Sequence, residues 1–159
     1  MGVIAEKPAK TRSLHQRDFY AWTQEQVRLL RAGNLHRLDV ENLIEEVEDM
    51  GRSEAAALES AIEQALIHLI KLALSPASDP RAAWEVSVVK QRVAIEKLLK
   101  VNPGLQSRLG EFFDDAWISA REIANAELAV YKEFPVIPAD CPFDLAKVRN
   151  KSYWPARAA

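Results

Sequence analysis

The sequence predicts an all-α fold, a bundle of four long helices with a proline-punctuated C-terminal strap and one short helix. Apolar residues recur at helical spacing over long stretches, and no stretch alternates long enough to form a strand. Only 5 of the 159 residues are glycine, so long uninterrupted helices are possible. A composition of 48% hydrophobic and 28% charged residues is typical of a globular protein. We predict a mobile N-terminal tail over residues 1–16 and a single helical domain over 17–155.

The first two long helices are bounded by capping residues. The first is predicted between Asp18, a favourable N-cap, and Gly33, a favourable residue just past a helix end. The second is predicted from Asp39 to Leu74, with a kink or break near Gly51 because 36 residues would span about 54 Å. The helical wheel places these apolar side chains on the inner sides of the two helices: Phe19, Trp22, Leu29, Leu30, Leu43, Val47, Met50, Ala57, Leu58, Ala61, Ala65, Leu69 and Leu72.

The third and fourth helices are separated by a proline break. Asp79 is the predicted N-cap of the third helix, with Pro80 at its first position and its end near Lys100. The sequence Asn102-Pro103-Gly104 interrupts the chain, and the fourth helix follows it. After Tyr131, four prolines punctuate an aromatic-rich segment that is predicted to wrap over the core as the strap. The short helix is predicted within 142–149.

Several segments resemble a known family. DFYAWTQEQVRLLRAG (18–33) resembles the family's opening, and LDVENLIEEVEDMGRSE (38–54) resembles its most distinctive block. Later landmarks are similar at 68–71, Trp84, 91–92, 102–103 and 141–142. The family is domain of unknown function 29, which is mostly bacterial and largely helical, and the resemblance covers about residues 16–155. It implies a helical fold and a bacterial, cytoplasmic protein, and it implies no activity.

Five polar side chains fall on or beside apolar stripes. On the second helix, Glu54 and His68 lie inside the stripe and Glu46 lies at its edge; on the third helix, Gln91 lies inside the stripe and Arg92 flanks it. An unpaired charge is costly to bury, so we expect these residues to pair with one another or to bind a ligand. Antiparallel packing of the two helices would bring Arg92 near Glu54 or Glu46. The sequence therefore predicts a buried polar network or a ligand pocket at these five residues.

Catalytic motifs are incomplete in the sequence. A di-iron bundle needs Glu-x-x-His pairs on two helices, and the residue three before His68 is Ala65. Glu45, Glu46 and Asp49 resemble the carboxylate cluster of helical nucleotide pyrophosphatases, so a divalent-metal-dependent hydrolase is the enzyme alternative. No cofactor is predicted otherwise, and Mg²⁺ or Mn²⁺ is expected only under this alternative. Cys141 precedes Pro142 at a predicted helix start and is expected to be a packed thiol.

Charge alternates along the chain. Residues 1–38 carry a net charge of +4 and residues 39–63 a net charge of −8, within a total of −2. Such blocks are typical of helices that pack with complementary flanks. The leading hypothesis is therefore a non-catalytic helical interaction domain that binds another protein or itself. Nucleic-acid binding through the basic helix 81–100 is a second alternative, disfavoured by the total charge, and no membrane interaction is expected.

Overall fold

The predicted all-α architecture is confirmed. A computed structural model describes residues 12–157, and within this range the chain is helical with no strand. Two short 3₁₀ segments, Leu35–Arg37 and Pro103–Arg108, lie between the α-helices. The six helices are α1 (Leu14–Arg17), α2 (Phe19–Arg31), α3 (Val40–Leu74), α4 (Arg81–Val101), α5 (Leu109–Val130) and α6 (Leu145–Arg149).

The chain divides into two compact units, with the boundary between Met50 and Gly51. The sequence predicted a single domain over 17–155. Unit 1 contains α1, α2 and the first part of α3, and unit 2 contains the remainder. Most of the tail predicted over 1–16 lies outside the described residues. Its last residues are helical instead, because the Ser13 side chain caps α1 by accepting a hydrogen bond from the backbone N–H of Gln16. The first described helix therefore begins at Leu14, within the range predicted as a tail.

α3 is a continuous helix of 35 residues, and the break predicted near Gly51 is absent. Its first part was also predicted to bury Val47 and Met50, and this prediction is wrong because both side chains are exposed. In unit 1, contacts from α1 and α2 reach the side of α3 that carries Asp39 and Glu46. That side is about 100° away from Val47 on the helical wheel, so the predicted inner side faces solvent.

α2 begins and ends where the capping residues predicted. The Asp18 side chain accepts a hydrogen bond from the backbone N–H of Ala21, and Gly33 follows the helix with a φ of 69°. Two hydrogen bonds close this end, from Asn34 N–H to the Leu29 carbonyl and from Gly33 N–H to the Leu30 carbonyl. This pattern is a Schellman motif, which favours glycine at the left-handed position.

α5 ends in the same motif, but with lysine at the left-handed position. Lys132 has a φ of 60°, and its N–H donates to the Ala129 carbonyl at 2.9 Å. The N–H of Glu133 donates to the Leu128 carbonyl at 3.0 Å. The motif therefore fixes the backbone of Glu133 against the end of α5.

The core of unit 2 is formed by the second part of α3 together with α4, α5 and the strap (residues 132–157). α4 begins at Arg81 with Pro80 in the N-cap position, so the predicted Asp79 cap is displaced by one residue. The short helix predicted within 142–149 is α6, and its N-cap is Asp144. The buried core includes Leu58, Ile62, Leu66, Ile67, Leu69, Ile70, Leu72, Trp84, Val88, Ile95, Leu99, Leu109, Phe112, Trp117, Phe143 and Val148.

Candidate functional site

The five side chains predicted to form one polar network do not come together. Among the described residues, no hydrogen bond joins Glu54, His68, Gln91 and Arg92 to one another. Glu54 is exposed and accepts a hydrogen bond from Asn102 Nδ2 at 2.8 Å, and Gln91 is half-buried. Glu46 lies in unit 1, where it accepts a hydrogen bond from His15 Nε2 at 2.7 Å. The helical wheel gave the direction of these side chains but not the residues that they meet.

Arg92 is buried as predicted, with 1% of its surface exposed, but its partners are backbone carbonyls. Its Nε donates to the Val148 carbonyl at 2.8 Å, and its Nη2 donates to the Tyr153 carbonyl at 2.8 Å and to the Lys147 carbonyl at 3.3 Å. The guanidinium carbon also lies 5.0 Å from the centroid of the Trp154 ring. Arg92 therefore attaches the strap to α4, and the predicted ion pair with Glu54 or Glu46 is wrong.

His68 is half-buried and hydrogen-bonded to the backbone. Its Nδ1–H donates to the Gln64 carbonyl at 2.8 Å, and the Ser87 hydroxyl lies 3.3 Å from the same nitrogen. A nitrogen that donates its proton has no lone pair with which to deprotonate the serine. Burial lowers the pKa of His68, and the charge of Lys71 lowers it further, which favours the neutral ring. The pair therefore does not form a nucleophile and its general base.

Lys71 is a buried cation that the sequence reasoning did not single out. Its Nζ donates to Glu127 Oε2 at 2.5 Å and lies 5.1 Å from the centroid of the Trp84 ring. One signal in the sequence was that Lys71 lies directly between Ile70 and Leu72, which are both buried. A long aliphatic stem lets lysine occupy such a position while its ammonium reaches a carboxylate, so apolar spacing alone did not mark it as an ion pair.

The predicted metal-binding carboxylates are not assembled into a site. Glu45 and Asp49 are exposed, and the Glu46 carboxylate bonds to His15. Within residues 12–157, no group of three or more His, Cys, Asp or Glu side chains could hold a metal ion. Cys141 is half-buried, and burial raises the pKa of its thiol to about 11, so the thiol is packed and protonated at neutral pH.

The basic helix 81–100 does not present its arginines as phosphate ligands. Arg92 is buried, and Arg81 Nη2 donates to the Leu72 carbonyl at 2.9 Å, where it caps the end of α3. Both guanidinium groups therefore bind backbone carbonyls of this chain. Lys90, Lys97 and Lys100 of the same helix are exposed, so the nucleic-acid alternative stays a prediction that would rest on these three lysines.

Asp39 organises the polar contacts of unit 1. Its Oδ2 accepts hydrogen bonds from Asn42 Nδ2 at 2.7 Å and from the indole N–H of Trp22 at 3.0 Å. Its backbone N–H donates to Gln26 Oε1 at 2.9 Å, which explains how Gln26 is buried beside Trp22 and Leu29. The hydrogen bonds from Asn42 and Trp22 hold the pKa of Asp39 below its usual value.

We predict a pH dependence for unit 1 from this carboxylate. A carboxylate whose pKa is lowered by folding stabilises the protein above its unfolded pKa, about 3.9, and this stabilisation is lost as the pH falls through the folded pKa. The protection of the α2 amides, corrected for the intrinsic exchange rate at each pH, should therefore decrease below about pH 4. Asp39→Asn should remove this acid-dependent difference and lower unit 1 stability at pH 7 by about 1 kcal/mol. An identical acid response in the variant would contradict the assignment.

Apolar side chains cover an exposed side of α3 in unit 1. We call Val40, Ile44, Val47 and Met50 the α3 stripe; they follow i, i+4, i+7 and i+10 spacing and are between 53% and 70% exposed. α2 carries a second exposed apolar group, the α2 surface, formed by Tyr20, Val27 and Leu30. Singly exposed apolar residues are ordinary, but contiguous ones mark interaction sites. The α3 stripe and the α2 surface together form the candidate functional surface of unit 1.

A comparison with family models shows which family the chain belongs to. The model for Domain of unknown function DUF29 matches residues 14–154, nearly the whole chain. The chain belongs to this family. DUF29 has no assigned activity, so the family supports the fold and adds no chemistry to the surfaces described above. No curated protein and no solved structure matches the chain.

Among residues 12–157 of this DUF29 chain, no helix combines the length and the apolar character that a membrane span requires.

Proposed function

We propose that this protein is a non-catalytic interaction domain that pairs with a second copy of itself through unit 1. The observation that carries the proposal is the α3 stripe, four large apolar side chains on one side of a helix with more than half of each exposed. Burying such a stripe against another helix is the usual source of helix–helix association.

The charge around the α3 stripe favours a basic occupant. Glu41 and Glu45 follow Val40 and Ile44 directly, so carboxylates border the stripe along its length. The segment that contains α2 has the opposite charge, with residues 1–38 at +4 against −8 for residues 39–63. α2 of a second copy would offer both the apolar contact and the complementary charge, because Arg31 is exposed beside Val27 and Leu30.

A symmetric pair would bury both exposed surfaces. In a twofold dimer, the α3 stripe of each copy packs against the α2 surface of the other, so each contact occurs twice. The result is a four-helix arrangement built from two helical hairpins. A different protein with a basic amphipathic helix would cover only the α3 stripe and leave the α2 surface exposed, so a second copy accounts for more of the observations.

The test is the molar mass in solution. We expect light scattering after gel filtration to give twice the 17.9 kDa chain mass. Ile44→Glu should weaken pairing about thirtyfold or more, because a charge then enters the apolar contact. The matched control is Ile118→Glu on α5, where isoleucine is 59% exposed compared with 56% at Ile44.

Each outcome decides for or against self-pairing. A dimer that is lost with Ile44→Glu and retained with Ile118→Glu supports the proposal. A wild-type chain that stays monomeric up to about 100 μM overturns it, as does equal loss in both variants. Pairing should also weaken as salt is raised, since the charges that border the contact are exposed.

A further inference from the structure

The solvent side of α4, in unit 2, carries a second row of exposed apolar residues. Val86, Val89 and Val93 are 54%, 47% and 53% exposed. They point away from the buried side of the helix, which includes Trp84 and Val88. They also follow the alternating three- and four-residue spacing that brings side chains onto one side of a helix. We call these three valines the α4 seam.

Valine contributes little to the solvent side of a helix unless a partner covers it. Its β-branched side chain loses rotamers in a helix, so valine is a weaker helix former than alanine, glutamate or lysine. A singly exposed valine is ordinary, but exposed apolar residues in register on one helix mark a contact site. The α4 seam therefore has the form of a surface that packs against another helix.

The charge around the α4 seam is basic. Lys97 and Lys100 continue the spacing of the valines toward the end of the helix, and Lys90 lies beside Val86 and Val93 on the helical wheel. All three lysines are exposed, and within residues 12–157 none of them forms an ion pair. Their ammonium groups are therefore available to a negatively charged partner.

The carboxylates of α4 do not cancel this charge. Glu96 pairs with Arg149 of the strap, whose Nε lies 2.7 Å from Glu96 Oε1. The hydrogen bond and charge of Arg149, together with the charge of Lys151, hold the pKa of Glu96 below its usual value. Glu85 is the other carboxylate of the helix, and it lies on the border of the seam opposite Lys90. In the described part of the chain, three unpaired lysines of α4 thus stand against one unpaired carboxylate.

We propose that the α4 seam binds an acidic amphipathic helix of another protein. The apolar side of that helix packs on the three valines, and its carboxylates pair with Lys97 and Lys100. A nucleic acid would contact the lysines and leave the valines exposed, so an acidic helix accounts for more of the surface.

A second copy of this chain fits the α4 seam less well than a different protein. Two α4 helices side by side would bring lysines of like charge together. The α3 stripe is acidic and apolar, but in the pairing proposed for unit 1 it is already covered. Only this exclusion of the α3 stripe rests on the proposed function, because the residues that carry the two proposals are different.

The test is titration of the full chain with two designed helical peptides, followed by fluorescence anisotropy. Both peptides carry leucines at the spacing of the α4 seam. One has glutamates beside the leucines, and the other has lysines at the same positions. We expect saturable binding of the acidic peptide and binding at least about tenfold weaker for the basic peptide. A DNA duplex is the third probe and should bind more weakly than the acidic peptide at the same salt concentration.

Val89→Gln is the decisive variant, because it removes apolar contact without adding charge. We expect it to raise the dissociation constant of the acidic peptide about tenfold, and Lys97→Gln to raise it about threefold. The matched control is Val130→Gln, an exposed valine of α5, which should leave the affinity unchanged. All three positions are exposed, so the variants should fold as the wild type does.

The outcomes separate this proposal from the pairing of unit 1. No binding of the acidic peptide, equal binding of both peptides, or an unchanged affinity in Val89→Gln would overturn the α4 proposal. Tighter binding of DNA than of the acidic peptide would also overturn it. If light scattering showed that Val89→Gln abolishes a dimer, a second copy would cover the seam and the proposal would be wrong. A dimer that is lost only with Ile44→Glu concerns unit 1 alone.

Discussion

Replacing Arg92 with methionine is expected to lower the free energy of unfolding by roughly 3 to 5 kcal/mol. The guanidinium makes three hydrogen bonds to backbone carbonyls of the strap, which methionine cannot replace. Hydrogen bonds to a charged group each contribute about 1.5–3 kcal/mol, and buried carbonyls left without donors add a desolvation cost. Methionine fills a similar volume, so the loss reports these hydrogen bonds more than it reports a cavity.

Urea denaturation measures this loss, and hydrogen exchange locates it. The amides of α6 should lose protection in the Arg92→Met variant before those of α5 do. Lys90→Met is the control, since Lys90 is an exposed cation of the same helix. Arg92→Lys should fall between the wild type and methionine, because one ammonium cannot match the planar fork of a guanidinium. A loss below about 1 kcal/mol for Arg92→Met would show that the strap is held by other contacts.

Replacing Trp117 with alanine is expected to cost a similar amount, roughly 3 to 5 kcal/mol. Its indole N–H donates to the Ala139 carbonyl at 2.8 Å, and its ring meets Phe143 edge-on with centroids 6.3 Å apart. Trp117→Phe keeps most of the ring and removes the donor, so it should cost only about 1–2 kcal/mol. Ile118→Ala, at the exposed neighbouring position, should change the stability by less than about 0.5 kcal/mol in the same denaturation measurement.

Arg92 and Trp117 hold the same segment, so their effects should not add. Once one attachment is lost, the strap is already weakened and the second substitution removes less. An additive double variant, with Arg92→Met and Trp117→Ala together, would contradict the view that both residues stabilise one element.

Helix ends were the most predictable part of the fold, because they depend on local chemistry. Asp18 and Gly33 bound α2 through hydrogen bonds within a few residues, and capping preferences describe such interactions directly. The continuity of the 35-residue helix α3 was harder to predict. Glycine disfavours a helix by about 1 kcal/mol, but this cost alone does not break one. At Gly51 the packing of the rest of the helix outweighs that preference.

The polar contacts were less predictable, because a helical wheel shows the direction of a side chain but not its neighbour. Arg92 was correctly placed inside, yet its partners are carbonyls more than 50 residues away in sequence, which carry no side-chain signal. Val47 and Met50 were predicted to be buried because a helical wheel assumes that the same side of a helix is packed along its whole length. Lys71 was missed because apolar spacing does not show that a lysine reaches a carboxylate on another helix.

Lys132 introduces backbone strain at the end of α5. The end of α2 lacks this strain because glycine, Gly33, occupies the corresponding left-handed position. A side chain in left-handed backbone raises the energy of the folded state, and glycine at this position would relieve it at a gain of up to about 1 kcal/mol. Lys132 stands one residue before Glu133, whose backbone N–H completes the motif at the end of α5. Natural proteins are rarely selected for maximal stability. Lys132→Gly is therefore a single substitution by which a more stable form of this protein could be made.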